Sequence, residues 1–477
     1  MKICTAQSVR AAEQTLFSSG RMTSLELMNA VVERLWRACC SLPLLRHLAP
    51  ARVIVYAGTG NNAGDAIGLA ARWGCPVTLR CAGELSADAA AQLSGREERM
   101  VPEPQERLLI IDGLLGSGAV GALRPGYAEL VREMNALRAA SPRSLLLSID
   151  IPTGLDAASG KMEDDVVLAD VTAAIGCVKP GMLADGAEDA VGRLLCIPLP
   201  EVGTLAEADT AQVAEWQPVL PRRAYSCFKN RAGRVAVVAG SPGMAGAAQM
   251  CAEAALAAGA GLVVLYCLPP VYPVLAARVA PEIMVRQVGS YADIQEEQAQ
   301  ALVVGPGLGQ VQPVAAENLR RLVSQFAGTV VLDADGLNTA AAWGWKPAAN
   351  WVLTPHPGEM DRLFPEGVGM ERREKVSCYR DRYPCTLLLK GARTIIAGGD
   401  GCFYNATGGP YMANGGQGDV LAGVVGALAA QGLPALQAAV AGACACGLAA
   451  ERAWASGAYP SSVTATQVIR HLPTCLA

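Results

Sequence analysis

MANGGQGDVLAGVVGA, Met412 to Ala427, runs a glycine-rich turn straight into an aspartate and then into apolar, small residues. Gly415, Gly416 and Gly418 can adopt positive φ and leave the backbone N–H groups uncovered. A helix that starts near Asp419 aims its positive dipole end at the same point, so the turn is a place to hold phosphate. Asp419 then has two readings. It caps the helix by accepting from backbone donors, or it stands beside a reacting phosphate as a base.

Four upstream runs share one layout: Ala301 to Gly309 (ALVVGPGLG), Val330 to Ala341 (VVLDADGLNTAA), Trp351 to Phe364 (WVLTPHPGEMDRLF) and Thr386 to Gly401 (TLLLKGARTIIAGGDG). Each opens as a short apolar stretch, as a buried parallel strand does, and ends in polar residues or glycine. Ligands gather beyond the carboxyl ends of such strands, so these ends and the GGQG turn predict a single phosphoryl-transfer site.

Together the motifs from about Tyr225 to Ala453 resemble the ADP- or ATP-dependent NAD(P)HX dehydratases, which have a ribokinase-like fold. The resemblance implies an enzyme that phosphorylates the hydroxyl of a hydrated nicotinamide ring and then loses phosphate to restore NAD(P)H. In that reading Asp419 is the catalytic base, and Lys390, Gly391, Ala392, Arg393 and Thr394 surround the adenosine nucleotide with Gly415, Gly416, Gln417 and Gly418. Ala247, Gly307 and His356 line the hydrated-nicotinamide pocket. His356 can otherwise be a buried histidine satisfied by backbone groups. Asp333 and Asp335 either hold a magnesium ion through water or fix neighbouring loops. Gln417 stands where the family has a hydroxyl, and Phe228 precedes Lys229 where the family reads HK.

The amino-terminal half has a separate constellation. Arg52 to Trp73 (RVIVYAGTGNNAGDAIGLAARW) reads as strand, Gly/Asn loop and helix, the layout of a nucleotide-phosphate turn in a Rossmann-like sheet. Two later strands, in Arg107 to Gly121 and Ser144 to Gly160, each deliver an aspartate followed by glycine, which predicts that Asp112 and Asp150 face one crevice. Residues from about Ala6 to Ile197 resemble the NAD(P)HX epimerase domain. The resemblance implies that Asn61, Asn62, Ala63, Gly64 and Asp65, with Gly116, Ser117, Gly118, Ala119, Val120, Gly121 and Ala122, hold the substrate's phosphates. It also implies potassium ligation by Asn62, Asp112 and Thr153, an oxygen set that suits a hard cation. Asp150 contacts the hydrated ring and, with Lys179, carries the acid/base work of inverting the hydroxyl-bearing carbon. Lys179 can instead be an exposed turn lysine, and Asp65 a helix cap. Ala63 and Ala66 replace two glycines of the family's loop, where an added methyl obstructs backbone approach to phosphate.

With 477 residues, 51 glycines and 52% hydrophobic residues, the chain suits two α/β domains rather than one core. The expected order is a Rossmann-like three-layer α/β domain over 1–205 and a ribokinase-like α/β domain over 220–477, parted by the proline- and acid-rich Ile197 to Arg223. A formal net charge of −4 leaves no basic surface for nucleic acid. No apolar run approaches the ~18 residues of a membrane span, and the start does not read as a signal or transit peptide. Sixteen scattered cysteines without a CxxC pair read as reduced thiols of a cytoplasmic protein. The expected partners are NADHX and NADPHX, with ADP as phosphoryl donor and ATP the alternative, and magnesium beside it; a homo-oligomer stays open. A sugar or vitamin kinase, which needs the same aspartate and anion hole, is the rival enzyme class, and a dinucleotide-sensing binding protein the rival outside enzymes.

Overall fold

The apolar runs of the sequence become strands, and the order in which those strands pair decides which loops meet. The computed structural model describes residues 1–93, 107–141, 143–214, 220, 222–296, 298–399, 401–457 and 461–476. They fall into two units, Met1–Val213 and Ala214–Ala477, a division inside the proline- and acid-rich stretch.

In the first unit the strands are β1 (Arg52–Ala57), β2 (Val77–Cys81), β3 (Leu108–Gly113), β4 (Leu145–Ile149), β5 (Val171–Gly176) and β6 (Arg193–Pro198). They form one sheet in the order β2-β1-β3-β4-β5-β6, and every pairing is parallel. β1, β3 and β4 are buried along their whole length, as strands covered on both faces must be. After β2 the chain crosses to the other side of β1, so a crevice opens between the carboxyl ends of β1 and β3. The loops Gly58–Asn62 and Leu114–Gly118 flank it. They approach so closely that a Cβ on Gly58 would lie 1.8 Å from the Leu114 carbonyl oxygen. A short strand, β7 (Gln212–Ala214), follows.

The second unit holds β8 (Arg234–Val238), β9 (Leu262–Cys267), β10 (Met284–Gln287), β11 (Ala301–Val304), β12 (Thr329–Leu332), β13 (Trp351–Leu353), β14 (Thr386–Leu389), β15 (Ile395–Gly398) and β16 (Gly401–Asn405). These run β10-β9-β8-β11-β12-β13-β14-β15-β16 across the sheet, parallel as far as β14 and antiparallel thereafter. One expectation needs correction. Thr386 to Gly401 is not a single parallel strand and its loop: β14 and β15 form a hairpin, and Lys390 to Thr394 is its turn. The helix Gln417–Ala430 buries every residue from Val420 to Ala430, using glycine where another backbone comes close. At Gly423 a Cβ would meet the Cys251 carbonyl oxygen at 2.1 Å. Leu433 to Ala453 resolves into one helix, Ala435–Ser456. Among the described residues no helix is long and apolar enough to cross a membrane.

Gly305 joins the loop after β11 to the loop after β12. Its φ is +133°, and a Cβ there would sit 1.8 Å from the Asp333 carbonyl oxygen. Gly305→Ala therefore combines backbone strain with a backbone clash, and should lower the stability of the second unit by at least ~2 kcal/mol. Thermal or urea unfolding of the variant checks this, and an unchanged transition would show that the loop yields freely.

Candidate active sites

In the second unit, adjacent strand ends deliver Asp333 (after β12), Thr354 to Glu359 (after β13) and Lys390 (after β14) to one place. Asp333 is buried and accepts from Lys390 Nζ at 2.7 Å and from Thr354 Oγ1 at 2.8 Å. Lys390 Nζ also lies 3.7 Å from Glu359. Burial pushes the Lys390 ammonium down, but Asp333 and Glu359 outweigh it and hold the group above its ordinary value. The ammonium faces the GGQG turn, because a Cβ on Gly418 would come within 3.3 Å of Lys390 Nζ.

The turn itself takes the conformation its glycines permit, with Gly416 at φ +94° as N-cap of the helix that begins at Gln417. No side chain caps this helix, so the first N–H groups are left for a ligand. Asp419 is thus not the cap but a residue of the first turn. Burial pushes its carboxyl up to about 7, followed by repulsion from Asp333 and partly offset by Lys390. A carboxylate poised near neutrality suits a general base. Gln417 turns its amide back, donating to Asn414 at 3.1 Å and to the Val463 carbonyl at 2.9 Å, which ties the turn to the carboxyl-terminal segment.

Asp335 accepts from the Gly309 N–H at 2.7 Å and from Asn338, so both aspartates of LDADG fix neighbouring loops. Between them Ala334 has φ +47°, a strained position of the kind that clusters at functional sites. His356 is no buried histidine: its side chain is 51% exposed, and it caps the helix Pro357–Leu363 by accepting from the Gly358 N–H. Gly307 and Ala247 touch, since a Cβ on Gly307 would be 3.0 Å from that of Ala247. In the hairpin turn Thr394 donates to the Gly391 carbonyl, and Arg372, which the sequence did not mark, donates to the Arg393 carbonyl at 2.9 Å.

The first unit holds an open-mouthed cavity of about 510 Å³ at the crevice between β1 and β3. Of the expected residues, Asn61, Asn62, Asp65, Gly116, Ser117, Gly118, Ala119, Asp150 and Lys179 line it. Ala63, Gly64, Val120, Gly121 and Ala122 do not, and Val120 is among the exposed residues; Asp112, expected to face this crevice with Asp150, is instead fully buried and, like Thr153, does not line it. Ala63 and Ala66 are fully buried, and the Ala66 methyl faces Gly113 of β3. The two added methyls therefore point into the protein rather than toward a ligand.

Lys179 is not an exposed turn lysine. Only 1% of its side chain is accessible, and its ammonium pairs with Asp150 Oδ1 while donating to the Ile175 carbonyl at 3.1 Å. Asp150 also accepts from the Ser117 N–H at 2.9 Å. Burial pushes the Asp150 carboxyl up, but the lysine and this N–H outweigh it and leave the group below its ordinary value. Its φ of +67° aims it from the end of β4 into the cavity.

Behind this pair, Asp112 accepts from the Thr153 N–H at 2.9 Å and hydroxyl at 2.8 Å and from the Ser148 hydroxyl at 2.9 Å. Burial pushes its carboxyl up against those donors. Thr153 Oγ1 accepts from the Leu115 N–H, and Asn62 donates to the Leu115 carbonyl, so the three expected cation ligands share one neighbourhood. Their oxygen donors, with a buried carboxylate that a cation would favour, fit a hard monovalent ion.

Against this geometry, comparison with known proteins is specific. A family model described as NAD(P)H-hydrate dehydratase matches residues 235–474, and one described as YjeF-related protein N-terminus matches 24–181. The bifunctional NAD(P)H-hydrate repair enzyme Nnr of Coxiella burnetii is 33% identical over 98% of this chain and 97% of its own length. That of Escherichia coli K12 is 35% identical over 94% and 88%. The chain belongs to the bifunctional NAD(P)H-hydrate repair enzymes. Among solved structures, a ribokinase-like protein of Enterococcus faecalis is 26% identical over 54% of this chain and 91% of that one, with a TM-score of 0.49.

Two charged cavity residues of this repair-enzyme chain escaped the sequence reading: Arg10 and Glu13, from the helix Ala6–Ser18. With Phe17 they occupy positions i, i+3 and i+7, one helical face, which is the signal that could have found them. The Arg10 guanidinium lies against the loop that carries Gly116 to Ala119, 2.6 Å from where a Cβ on Gly118 would be. Glu13 is pushed up by burial and by Asp150, with Lys179 and Arg10 opposing.

Proposed function

We propose that the first unit interconverts the R and S epimers of NADHX and NADPHX, and that the second dehydrates the S epimer at the expense of ADP, or of ATP in its place. The observation that carries the dehydratase reading is Asp419, poised near neutrality in the first turn of an uncapped helix and facing Lys390. In the proposed step Asp419 takes the proton from the ring hydroxyl as that oxygen attacks the terminal phosphoryl group. The turn N–H groups and Lys390 stabilise the charge that develops on the transferring group. Magnesium would neutralise the nucleotide's phosphates. Phosphate then leaves the ring carbon as the nitrogen's electron pair forms a carbon–nitrogen double bond, and loss of a proton from the adjoining ring carbon to water restores the carbon–carbon double bond of the reduced nicotinamide.

For the epimerase reading, the buried Asp150–Lys179 pair in a cavity rimmed by the Asn61 and Gly116 loops is the supporting observation. Asn62, Asp112 and Thr153 would hold potassium, whose charge would organise the loops at the β1 and β3 ends. If so, Asp112→Asn should raise the potassium concentration giving half-maximal epimerisation by ~10-fold or more, since a neutral amide is the poorer ligand. Titrating potassium against a choline background tests this; an unshifted curve would remove Asp112 from the ligand set. We place the reactions in the cytoplasm, in keeping with sixteen cysteines that all stand as free thiols.

The single experiment for the whole reading is incubation of the chain with the hydrated cofactors, each nucleotide and magnesium, with and without potassium. A rival kinase would leave a stable phosphorylated product, whereas this reading requires reduced cofactor and free phosphate.

A further inference from the structure

The helix that follows β1 carries a carboxyl group where a solvent-facing or capping residue would be expected. Asp65 stands five residues into Asn61–Ala70, beyond the reach of a cap, and only 9% of it is exposed. Its Oδ1 is buried and meets no hydrogen-bond partner. Yet the residue lines the cavity, whose wall also includes Asp150, Lys179 and, from the amino-terminal helix, Arg10 and Glu13. A buried carboxyl with an open valence, in a residue of a cavity wall, is either a structural cost without a return or a group that meets a ligand.

The geometry assigns Asp65 as the proton donor of the epimerisation, in the same cavity as the Asp150–Lys179 pair, rather than as a holder of the substrate's phosphates. This assignment rests on the epimerase reading of the first unit. A carboxylate at this position would repel phosphate, while the protonated acid can donate. Burial, then Asp150 and Glu13, push the Asp65 carboxyl well above its ordinary value, which favours the protonated form. The opposite holds for Asp150, whose lysine keeps it ionised. Two carboxyls in one cavity are thereby driven apart into acid and base.

The step balances. Hydration of the ring's enamine bond leaves the hydroxyl on a carbon attached to the ring nitrogen. Asp150 accepts the hydroxyl proton, the carbon–oxygen double bond forms, and the carbon–nitrogen bond breaks with its electron pair going to nitrogen. The nitrogen takes the proton from Asp65, which becomes the carboxylate. After rotation of the open-chain aldehyde the nitrogen attacks the other face, returns its proton to Asp65, and Asp150 gives its proton to the oxygen.

Asp65→Asn keeps the shape and a polar head but removes the acid. Conversion of R- to S-NADHX should lose ~10²-fold or more in kcat with little change in KM. The wild-type pH profile should fall on the alkaline side as Asp65 ionises, and the variant's should lack that fall. A raised KM at wild-type kcat would mean that Asp65 binds substrate and is not the acid, and an unchanged kcat and pH profile would equally overturn the assignment. Asp65→Ala adds an independent arm: acetic acid, but not acetamide, should restore turnover if a missing proton is the defect, and rescue by neither overturns it. A wild-type chain that does not speed the approach of R to S would instead sink the epimerase reading itself, and this assignment with it.

Discussion

Asp419→Asn lowers dehydration of S-NADHX by ~10²–10⁴ while nucleotide affinity stays near the wild-type value, because the change keeps the side chain's size and removes only the base. The pH profile makes the same point. In the wild-type chain the carboxyl is pushed up to about 7, first by burial and then by Asp333. Only its ionised form accepts the hydroxyl proton, so the rate rises as pH climbs toward and through about 7, and falls about tenfold per unit well below it. The Asn variant should show its residual rate without that rise. Turnover within a few-fold of wild type would remove Asp419 from the chemistry and leave it a neighbour of the phosphate turn.

In the first unit, Asp150→Asn should cut conversion of the R epimer by a similar ~10²–10⁴ and leave dehydration of the S epimer untouched. Asn tolerates the positive φ that Asp150 occupies, so the backbone is not the target. The ion pair is. Losing the carboxylate leaves Lys179 buried without its counter-charge, which can cost ~3–5 kcal/mol. Stability and chemistry are separated by adding Lys179→Met to the same chain. The double variant should recover the melting temperature, because no charge is then buried alone, yet remain inactive toward the R epimer. Recovery of epimerisation along with stability would make the pair a structural device.

What the sequence made legible follows from where the chemistry sits. Asp333, Lys390, Asp112 and Asp150 sit at or just past the ends of apolar strands and Asp419 just past a glycine turn, where one-dimensional punctuation marks an element's end. Strand order was not so marked: nothing in TLLLKGARTII distinguishes a parallel strand with its loop from the hairpin that β14 and β15 form. Burial of polar groups was the other blind spot. Lys179 before Pro180 reads as an exposed turn until β4 supplies Asp150 beside it, and Asp65 reads as a cap until the helix is seen to begin at Asn61. Alanines in a phosphate loop look obstructive, but Ala63 and Ala66 are buried, with Ala66 facing the β3 glycine Gly113. Arg10 and Glu13 reach their cavity from the helix Ala6–Ser18, far upstream of β1 in the sequence, a contact that only the fold creates.

A freshly prepared mixture of R- and S-NADHX, mixed with the full chain, ADP or ATP, magnesium and potassium, tests the central claim most directly through the absorbance of reduced nicotinamide. Two active units predict that the absorbance returns beyond the S half of the mixture, that free phosphate appears in equal amount, and that Asp150→Asn stops the reaction once the S half is spent. Absence of any nucleotide-dependent return, or a stable phosphorylated hydrate in place of NADH, would contradict the account.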